Sequence, residues 1–158
     1  MTRTRSEYLL HQLEAERLPP AVPHARIVSP DDRDALAPLL LDAYRGTIDD
    51  EGEDLDDAVT AIDHYLGRIL TLHSFVVADE HGLAAMAFVV HVNGRHYIDP
   101  VATHPRAKQT GVGRSLVVTA LRSLASAGVL EVGATITDGN TASERLFAGL
   151  GFVRVGEW

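Results

Sequence analysis

Apolar and polar residues follow two different periods along the chain, and their order predicts an α/β fold. A helical period covers four stretches, at about 35–43, 55–70, 116–124 and 141–147. Runs of extended character lie between them, at about 25–28, 74–78, 83–92, 95–103, 130–137 and 152–158. Because the two kinds of segment are interleaved, we expect helices packed against one mixed sheet.

The N-terminal segment, residues 6–18, predicts a short helix ahead of this alternation. Its three leucines would lie on one side, and the Pro19-Pro20 pair would end it. We therefore predict a helical arm and a Pro-rich linker over residues 1–23, with the main domain over residues 24–158.

Turn residues predict how the strands are connected. Asn93-Gly94 is the preferred chemistry of a two-residue hairpin, so the strands between residues 74 and 103 are predicted to be antiparallel. A helix then intervenes, which makes strand 130–137 parallel to the strand before it. Pro100 has no N–H to donate, and this predicts a bulge or an unpaired margin in strand 95–103.

Charge is distributed unevenly over the 158 residues, whose net charge is −8. Residues 31–63 hold twelve acidic and two basic residues, whereas residues 100–130 hold four basic residues and no acidic one. The basic stretch would suit a polyphosphate. It is too local for the broad basic face that nucleic acid requires, so we expect no nucleic-acid partner.

Composition excludes several other classes. Without cysteine there is no cysteine nucleophile and no thiolate metal site, and the histidines lack metal-binding spacing, so we expect no metal. No apolar run approaches the ~20 residues of a membrane span, and the charged N-terminus does not resemble a signal peptide. We expect a cytoplasmic protein that does not bind membranes.

The most informative stretch is residues 97–116, where a strand leads through a glycine loop into a helix. Backbone N–H groups and the positive end of a helix dipole converge at such a junction and favour an anion. No lysine follows a glycine as a P-loop requires, and Leu116 stands where a dinucleotide fingerprint needs a third glycine.

The spacing Lys108-x-x-Gly111-x-Gly113 resembles the acyl-coenzyme A loop of the GCN5-related N-acetyltransferases (GNAT), in which the first residue is usually Arg or Gln. A second segment follows in the family's order, with Asn140, a helix reaching Phe147 and then Gly151-Phe152. Together the matched segments cover residues 97–155.

The resemblance implies a GNAT-like sheet of six or seven strands. Its N-terminal part would be antiparallel, its fourth and fifth strands, counted from residue 25, would be parallel and splayed apart, and four main helices plus the N-terminal accessory helix would flank it. Residues 24–158 would form an acyl-coenzyme A N-acyltransferase domain. The implied cosubstrate is acetyl-coenzyme A, and the implied binding residues are Val101, Ala102, Thr103, Lys108, Gln109, Thr110, Gly111, Val112, Gly113, Arg114, Asn140 and Phe147. The alternative for Asn140 is a turn or cap residue.

Two residues are candidates for proton transfer. Asp99 is the only acid on its strand and stands just before the coenzyme-binding residues, where several relatives keep a general base. It could instead be a buried acid paired with an amide or a base. Many relatives have a tyrosine acid where this chain has Phe147, which has no proton to give, so Tyr97 is the candidate substitute.

The acceptor side is predicted from the acidic loop between the first two helices. The resemblance places this loop beside the acceptor, and its carboxylates would concentrate a cationic amine. The candidates are Tyr44, Asp49, Asp50 and Glu51, followed by Glu53 and Asp54. The alternative is that these acids only form a solvated face.

The sequence thus predicts an acetyltransferase that acts on the primary amine of a small molecule or peptide by direct attack. The alternative is a coenzyme A-binding regulatory module with little catalysis, which Phe147 favours. The edge of a short last strand could also pair with a second copy in a homodimer.

Overall fold

The computed structural model describes residues 3–20 and 24–158. Its strands are β1 (Arg5–Leu10), β2 (Arg26–Ile27), β3 (Phe75–Asp79), β4 (Gly82–Val92), β5 (Arg95–Thr103), β6 (Val132–Thr137) and β7 (Val153–Glu157). Its α-helices are α1 (Arg33–Tyr44), α2 (Leu55–Leu66), α3 (Val112–Ser126) and α4 (Thr141–Gly149). Short 3₁₀ turns precede α1, β3 and α3. No helix in these two ranges has both the length and the apolar character to cross a bilayer.

The seven strands form one open sheet in the order β2-β3-β4-β5-β6-β1-β7. Neighbours are antiparallel throughout, with one exception: β5 and β6 are parallel. The mixed sheet with its antiparallel N-terminal part, its single parallel pair and its four helices confirms the predicted fold class. β7 lies at one edge of the sheet, and the predicted pairing of that edge with a second copy stays a prediction.

The predicted N-terminal helix is wrong. Residues 5–10 form β1, which lies between β6 and β7 and pairs antiparallel with both. Its paired leucines fit a helix locally, but hydrogen bonding along both edges of a strand outweighs that local preference. Residues 21–23 of the predicted linker lie outside the described residues. Because β1 is part of the sheet, we propose that the domain includes it.

Side chains on the two faces of the sheet form two cores. On one face, α3 and α4 pack Leu116, Leu121 and Phe147 onto the strands, and on the other, α1 and α2 pack Leu36 and Ile62. Each fully buried side chain of this size contributes about 1.5–3 kcal/mol of transfer free energy. The cores hold β4 and β5 firmly between helices and leave the carboxyl ends of β5 and β6 to form a site.

The centre of the sheet opens because β5 and β6 separate. Their pairing consists of His96 with Val132 and Tyr97 with Gly133, although the strands continue to Thr103 and Thr137. On its other side, β5 carries a bulge, where Asp99 and Pro100 stand between the pairs Ala87–Val101 and Val89–Ile98. The predicted bulge and the predicted splaying are both confirmed.

Candidate active site

A cleft of about 60 Å³ lies where β5 and β6 separate. Each neighbouring element contributes to its walls: Ile98, Asp99 and Val101 come from β5, Thr135, Ile136 and Thr137 from β6, and Arg5, Tyr44, Asp49, Asn140, Ser143 and Phe147 from the surrounding segments. The cleft thus brings together residues that are far apart in sequence.

One end of this region is the loop between β5 and α3. Gly111 caps α3 with a φ of +84°, and Gln109 also has a left-handed φ, of +66°. Glycine suits the first position because a Cβ there would be strained. No side chain of residues 3–20 or 24–158 caps α3, so within these ranges the N–H groups of its first turn have no side-chain acceptor. These N–H groups and the helix dipole favour a phosphate at this point.

Gly113 lets the first turn of α3 approach the end of β5. A Cβ at this position would lie 2.7 Å from Thr103 Oγ1. Thr103 is β-branched and short, so its side chain has little freedom to move away. The second glycine of the motif is therefore required by packing rather than by backbone conformation.

The basic residues of the loop are mostly engaged within the protein. Lys108 Nζ donates to the carbonyl oxygen of Ala43 at 2.8 Å, which ties the loop to the end of α1. Arg106 holds the carboxylate of Asp79. Arg114 is exposed on the first turn of α3. Anion binding here would therefore depend mainly on the backbone.

Asn140 and the acidic loop meet at the carboxyl end of β6. Asn140 Oδ1 accepts the N–H of Ser143 and caps α4, while its Nδ2 donates to Asp49 at 3.3 Å. The other Asp49 oxygen accepts the hydroxyl of Thr137 at 2.6 Å. Asp49 therefore fastens the loop between α1 and α2 across the cleft. The cap role of Asn140 is present, and its predicted coenzyme contact stays a prediction.

Asp99 lies in the cleft, and its carboxylate accepts no hydrogen bond from the described residues. Burial raises the pKa of this carboxyl above its ordinary value, although the positive charges of Arg5 and Arg68 act in the opposite direction. Burial and the nearby Asp99 charge in turn raise the pKa of Tyr44, and they raise the pKa of Tyr65 to about 12. An unpartnered carboxyl with a raised pKa that faces a cleft has the properties of a general base.

The structure does not place Tyr97 among the residues that line the cleft. Its hydroxyl donates to the Glu7 carboxylate on β1, and its ring contacts Trp158 edge-on with centroids 5.1 Å apart. The ring also covers Gly133, where a Cβ would lie 2.5 Å from it. Phe147 does line the cleft and packs against Phe152.

Some of the remaining acceptor candidates line a second cleft of about 140 Å³ between α1 and α2. Tyr44 borders both clefts. Asp50 and Glu53 line this second cleft, together with the apolar side chains of Leu40 and Ala61. Glu51 instead pairs with Arg3 at 3.1 Å. Tyr44 and Asp49 thus line the first cleft, Asp50 and Glu53 line the second, and Asp54 instead caps α2.

Among the charged residues that line the cleft, Arg5 is the one that was not predicted from the sequence. It belongs to β1, and the two adjacent leucines of that segment suit a helix as well as a strand. The partners that make it a strand lie more than a hundred residues further along the chain. Within the described ranges, no cluster of three or more His, Asp or Glu side chains is arranged to hold a metal ion.

Most of the chain matches the model of a known protein family. The model of the Acetyltransferase (GNAT) family matches residues 33–152. No curated protein matches the sequence significantly.

Solved structures share the fold at low sequence identity. A GCN5-related N-acetyltransferase from Sphaerobacter thermophilus aligns over 98% of this chain with a TM-score of 0.72 and 14% identity. The chain spans only 49% of that protein, so the two differ in overall extent. The ribosomal-protein-S18-alanine N-acetyltransferase of Escherichia coli aligns over 83% of this chain and 77% of its own, with a TM-score of 0.66 and 20% identity. A GNAT family acetyltransferase from Brucella melitensis, solved with acetyl-CoA, aligns over 66% and 70% with a TM-score of 0.54 and 18% identity.

Proposed function

Because the chain belongs to the GNAT acetyltransferase family, we propose that it transfers an acetyl group from acetyl-coenzyme A to a primary amine of a small molecule or peptide. The observation that supports this most directly is the separation of β5 from β6 beside the uncapped N-terminus of α3. The free edge of β5 that follows Asp99 would thereby lead an extended ligand to a helix end suited to phosphate.

The donor would be held mainly by main-chain groups. Beyond Tyr97, no strand in the part of the chain that the structure describes pairs with β5 on the β6 side, so Val101, Ala102 and Thr103 offer an edge for an extended pantetheine arm. The amides from Lys108 to Arg114 would bind the pyrophosphate. The thioester supplies the activated acetyl group, and the Val101 N–H would stabilise the negative charge that develops on its carbonyl oxygen.

Asp99 would remove the proton that keeps the amine from attacking. An amine in neutral water is mostly protonated, and only the neutral form is a nucleophile. The raised pKa of Asp99 makes it a better proton acceptor than an exposed aspartate, and it is ionised only above that raised pKa. Activity should therefore rise as the pH increases through the pKa of Asp99.

The leaving group does not require a tyrosine acid. Phe147 lines the cleft at the position where relatives carry one, and it cannot donate a proton. A thiol with a pKa of about 8.5 leaves readily as the thiolate. The loss of the acid is therefore compatible with turnover.

The acceptor would enter from the side of the acidic loop. Asp49 and Tyr44 line the cleft beside Asp99, and Asp50 and Glu53 line the adjoining one. Carboxylates at the entrance raise the local concentration of amines, which carry positive charge in solution. Glu51 lies further out on the loop, paired with Arg3.

The alternative function, a coenzyme A-binding module with little catalysis, is favoured by Phe147. One experiment separates the two. Calorimetric titration with acetyl-coenzyme A measures binding, and release of free thiol in the presence of a panel of amines measures transfer. Binding with amine-dependent thiol release supports the enzyme, binding without it supports the module, and no binding contradicts both.

A further inference from the structure

The position of Arg5 in the cleft is fixed by the backbone of β1. Arg5 pairs with Thr137 of β6 in the sheet register, and its carbonyl oxygen accepts the N–H of Trp158 at 2.9 Å. With both edges of the strand paired, the guanidinium is carried on a rigid element and lines the same cleft as Asp99. Functional groups held on strands are positioned more accurately than groups on loops.

The Arg5 guanidinium is poorly satisfied by the protein. Its one hydrogen bond in the described residues goes to the Thr135 carbonyl oxygen, at 3.3 Å, and no carboxylate oxygen of these residues lies within 4.0 Å of it. Among the described residues, the arginines that hold carboxylates are Arg3, Arg17, Arg26, Arg33, Arg95 and Arg106, whereas Arg5, like Arg68 and Arg114, holds none. Most of the five N–H donors of the exposed Arg5 side chain therefore have no partner among the described residues and are free to bind a ligand at the cleft.

The cleft is lined by charges of both signs, with Arg5 on one side of the balance and Asp49 and Asp99 on the other. Arg5 is near enough to Asp99 to lower the pKa of its carboxyl against the effect of burial. A simple cationic amine would be attracted by the carboxylates of Asp99 and Asp49 and repelled by the Arg5 guanidinium. A molecule that carries a carboxylate beside its amine would be attracted both by these carboxylates and by Arg5, because a guanidinium binds a carboxylate through two parallel hydrogen bonds.

Resting on the proposed acetyltransferase function, we propose that the acceptor is an amino carboxylate, such as an α-amino acid, and that Arg5 binds its carboxylate while the amine faces Asp99. Arg5 and Asp99 line the same cleft, which favours a short separation between the two groups. Arg5 is then a specificity-determining residue that sets which amines are accepted.

The test uses matched acceptors: an α-amino acid, its carboxamide and the amine that lacks the carboxyl group. Wild-type protein and Arg5→Gln are each assayed for kcat/KM, and the acid-to-carboxamide ratio is compared between them, so that differences in amine basicity cancel. Because a charge-assisted bidentate pair is lost, we expect this ratio to fall by about 10- to 100-fold in Arg5→Gln. Arg5→Lys keeps the positive charge but lacks the planar guanidinium, so its acid-to-carboxamide ratio should lie between those of the wild type and Arg5→Gln.

Arg145→Gln is the matched control, because Arg145 is exposed on α4 and lines neither cleft. It should leave the ratio at the wild-type value. Calorimetry with acetyl-coenzyme A should give the same Kd for wild type and Arg5→Gln, which also shows that the variant is folded. A measurement without any variant is available as well: in the presence of coenzyme A, wild-type protein should bind the amino acid more tightly than its carboxamide.

The outcomes separate this proposal from the one on which it rests. If acetyl-coenzyme A binds and amines are acetylated, but the ratio is the same in wild type and Arg5→Gln, the carboxylate assignment is overturned and the acetyltransferase stands. If acetyl-coenzyme A does not bind, the proposed function fails and this assignment fails with it. If Arg5→Gln does not fold, equal binding of acid and carboxamide by the wild-type protein overturns the assignment.

Discussion

The proposed donor side and the proposed acceptor side of the cleft differ in how they are built. The donor side is one continuous stretch from β5 through the glycine loop into α3, and the binding groups proposed there belong to the backbone. The acceptor side is assembled from Arg5, Tyr44, Asp49 and Asp99, which come from separate segments and act through their side chains. Binding on the donor side would depend on the conformation of the backbone, whereas binding on the acceptor side would depend on the identity of each side chain.

The difference predicts how each side responds to substitution. A backbone site tolerates changes of side chain and fails when the conformation is changed, as at a glycine. A side-chain site fails when a single charge or hydrogen bond is removed, while the fold and donor binding persist. A substitution on one side should therefore leave binding by the other side unchanged.

The largest effect on binding of acetyl-coenzyme A is expected from the double variant that combines Gly111→Val and Gly113→Val. Gly111 has a φ of +84°, and a side chain at Gly113 would meet Thr103, so the double variant cannot keep the loop in place. We expect calorimetry to show affinity for acetyl-coenzyme A at least about 100-fold weaker. Gly149→Val is the control, since added atoms there meet nothing within 4 Å. Unchanged affinity in the double variant would remove the loop from the donor site.

The next largest effect is expected from Asp99→Asn, which removes the proposed base and leaves the donor side intact. General-base catalysis contributes typically about 10²- to 10⁴-fold, so kcat/KM should fall by that order while the Kd for acetyl-coenzyme A stays the same. The pH–rate profile of the wild type should rise through the raised pKa of Asp99, and the variant should lose that rise. A variant with wild-type kcat/KM would exclude Asp99 from the reaction.

Asp99→Asn should lower activity but raise the stability of the folded protein. Burial raises the pKa of Asp99, so the folded protein keeps this proton at pH values where the unfolded chain has lost it. The free energy of unfolding of the wild type then falls as the pH increases from the ordinary pKa of aspartate to the raised pKa of Asp99. At pH values above the raised pKa it stays at this lower level. At neutral pH the variant should therefore have a higher Tm than the wild type, and an unchanged or lower Tm would contradict a desolvated carboxyl.

A smaller effect is expected from Asp49→Ala, which releases the acidic loop from Thr137 and Asn140. Loss of one charged hydrogen-bond acceptor corresponds to about 1.5–3 kcal/mol, of which only part appears in binding. We expect the KM for the acceptor to rise by roughly 3- to 10-fold with kcat nearly unchanged. Steady-state kinetics at saturating acetyl-coenzyme A measures both, and a fall in kcat alone would contradict a role in acceptor binding.

The smallest effect on activity is expected from Tyr97→Phe. Tyr97 stands two residues before Asp99, but its hydroxyl donates to Glu7 and it does not line the cleft. Chemical denaturation should show a loss of about 1–3 kcal/mol, from the hydrogen bond to a charged partner. kcat/KM should stay within about twofold of the wild type. A large loss of kcat with normal stability would restore Tyr97 as the acid.

Local chemistry explains which features could be predicted from the sequence. Pro100 and the hairpin pair Asn93-Gly94 act within a few residues, and they predicted the bulge and the antiparallel strands correctly. Gly111 and Gly113 similarly marked the start of α3. By contrast, β1 is a strand because of partners at the far end of the chain, and its local sequence does not encode that pairing.

The same reason limits what could be predicted for the site. Asp99 was found because it stands next to the glycine segment, whereas Arg5 reaches the cleft only through the sheet order. The engagement of Lys108 with Ala43 and of Asn140 with Asp49 likewise depends on how distant segments pack. Backbone sites can be predicted from contiguous motifs, while sites made of side chains require the tertiary structure.

We propose that the opening between β5 and β6, together with the start of α3, holds acetyl-coenzyme A. Amide chemical shifts of isotope-labelled wild-type protein, followed by NMR during titration with acetyl-coenzyme A, locate the bound ligand residue by residue. We expect the largest shifts at Val101–Thr103 and Gly111–Arg114, with small shifts in β2 and β3. Saturable shifts centred elsewhere, or no shifts at millimolar acetyl-coenzyme A, would contradict it.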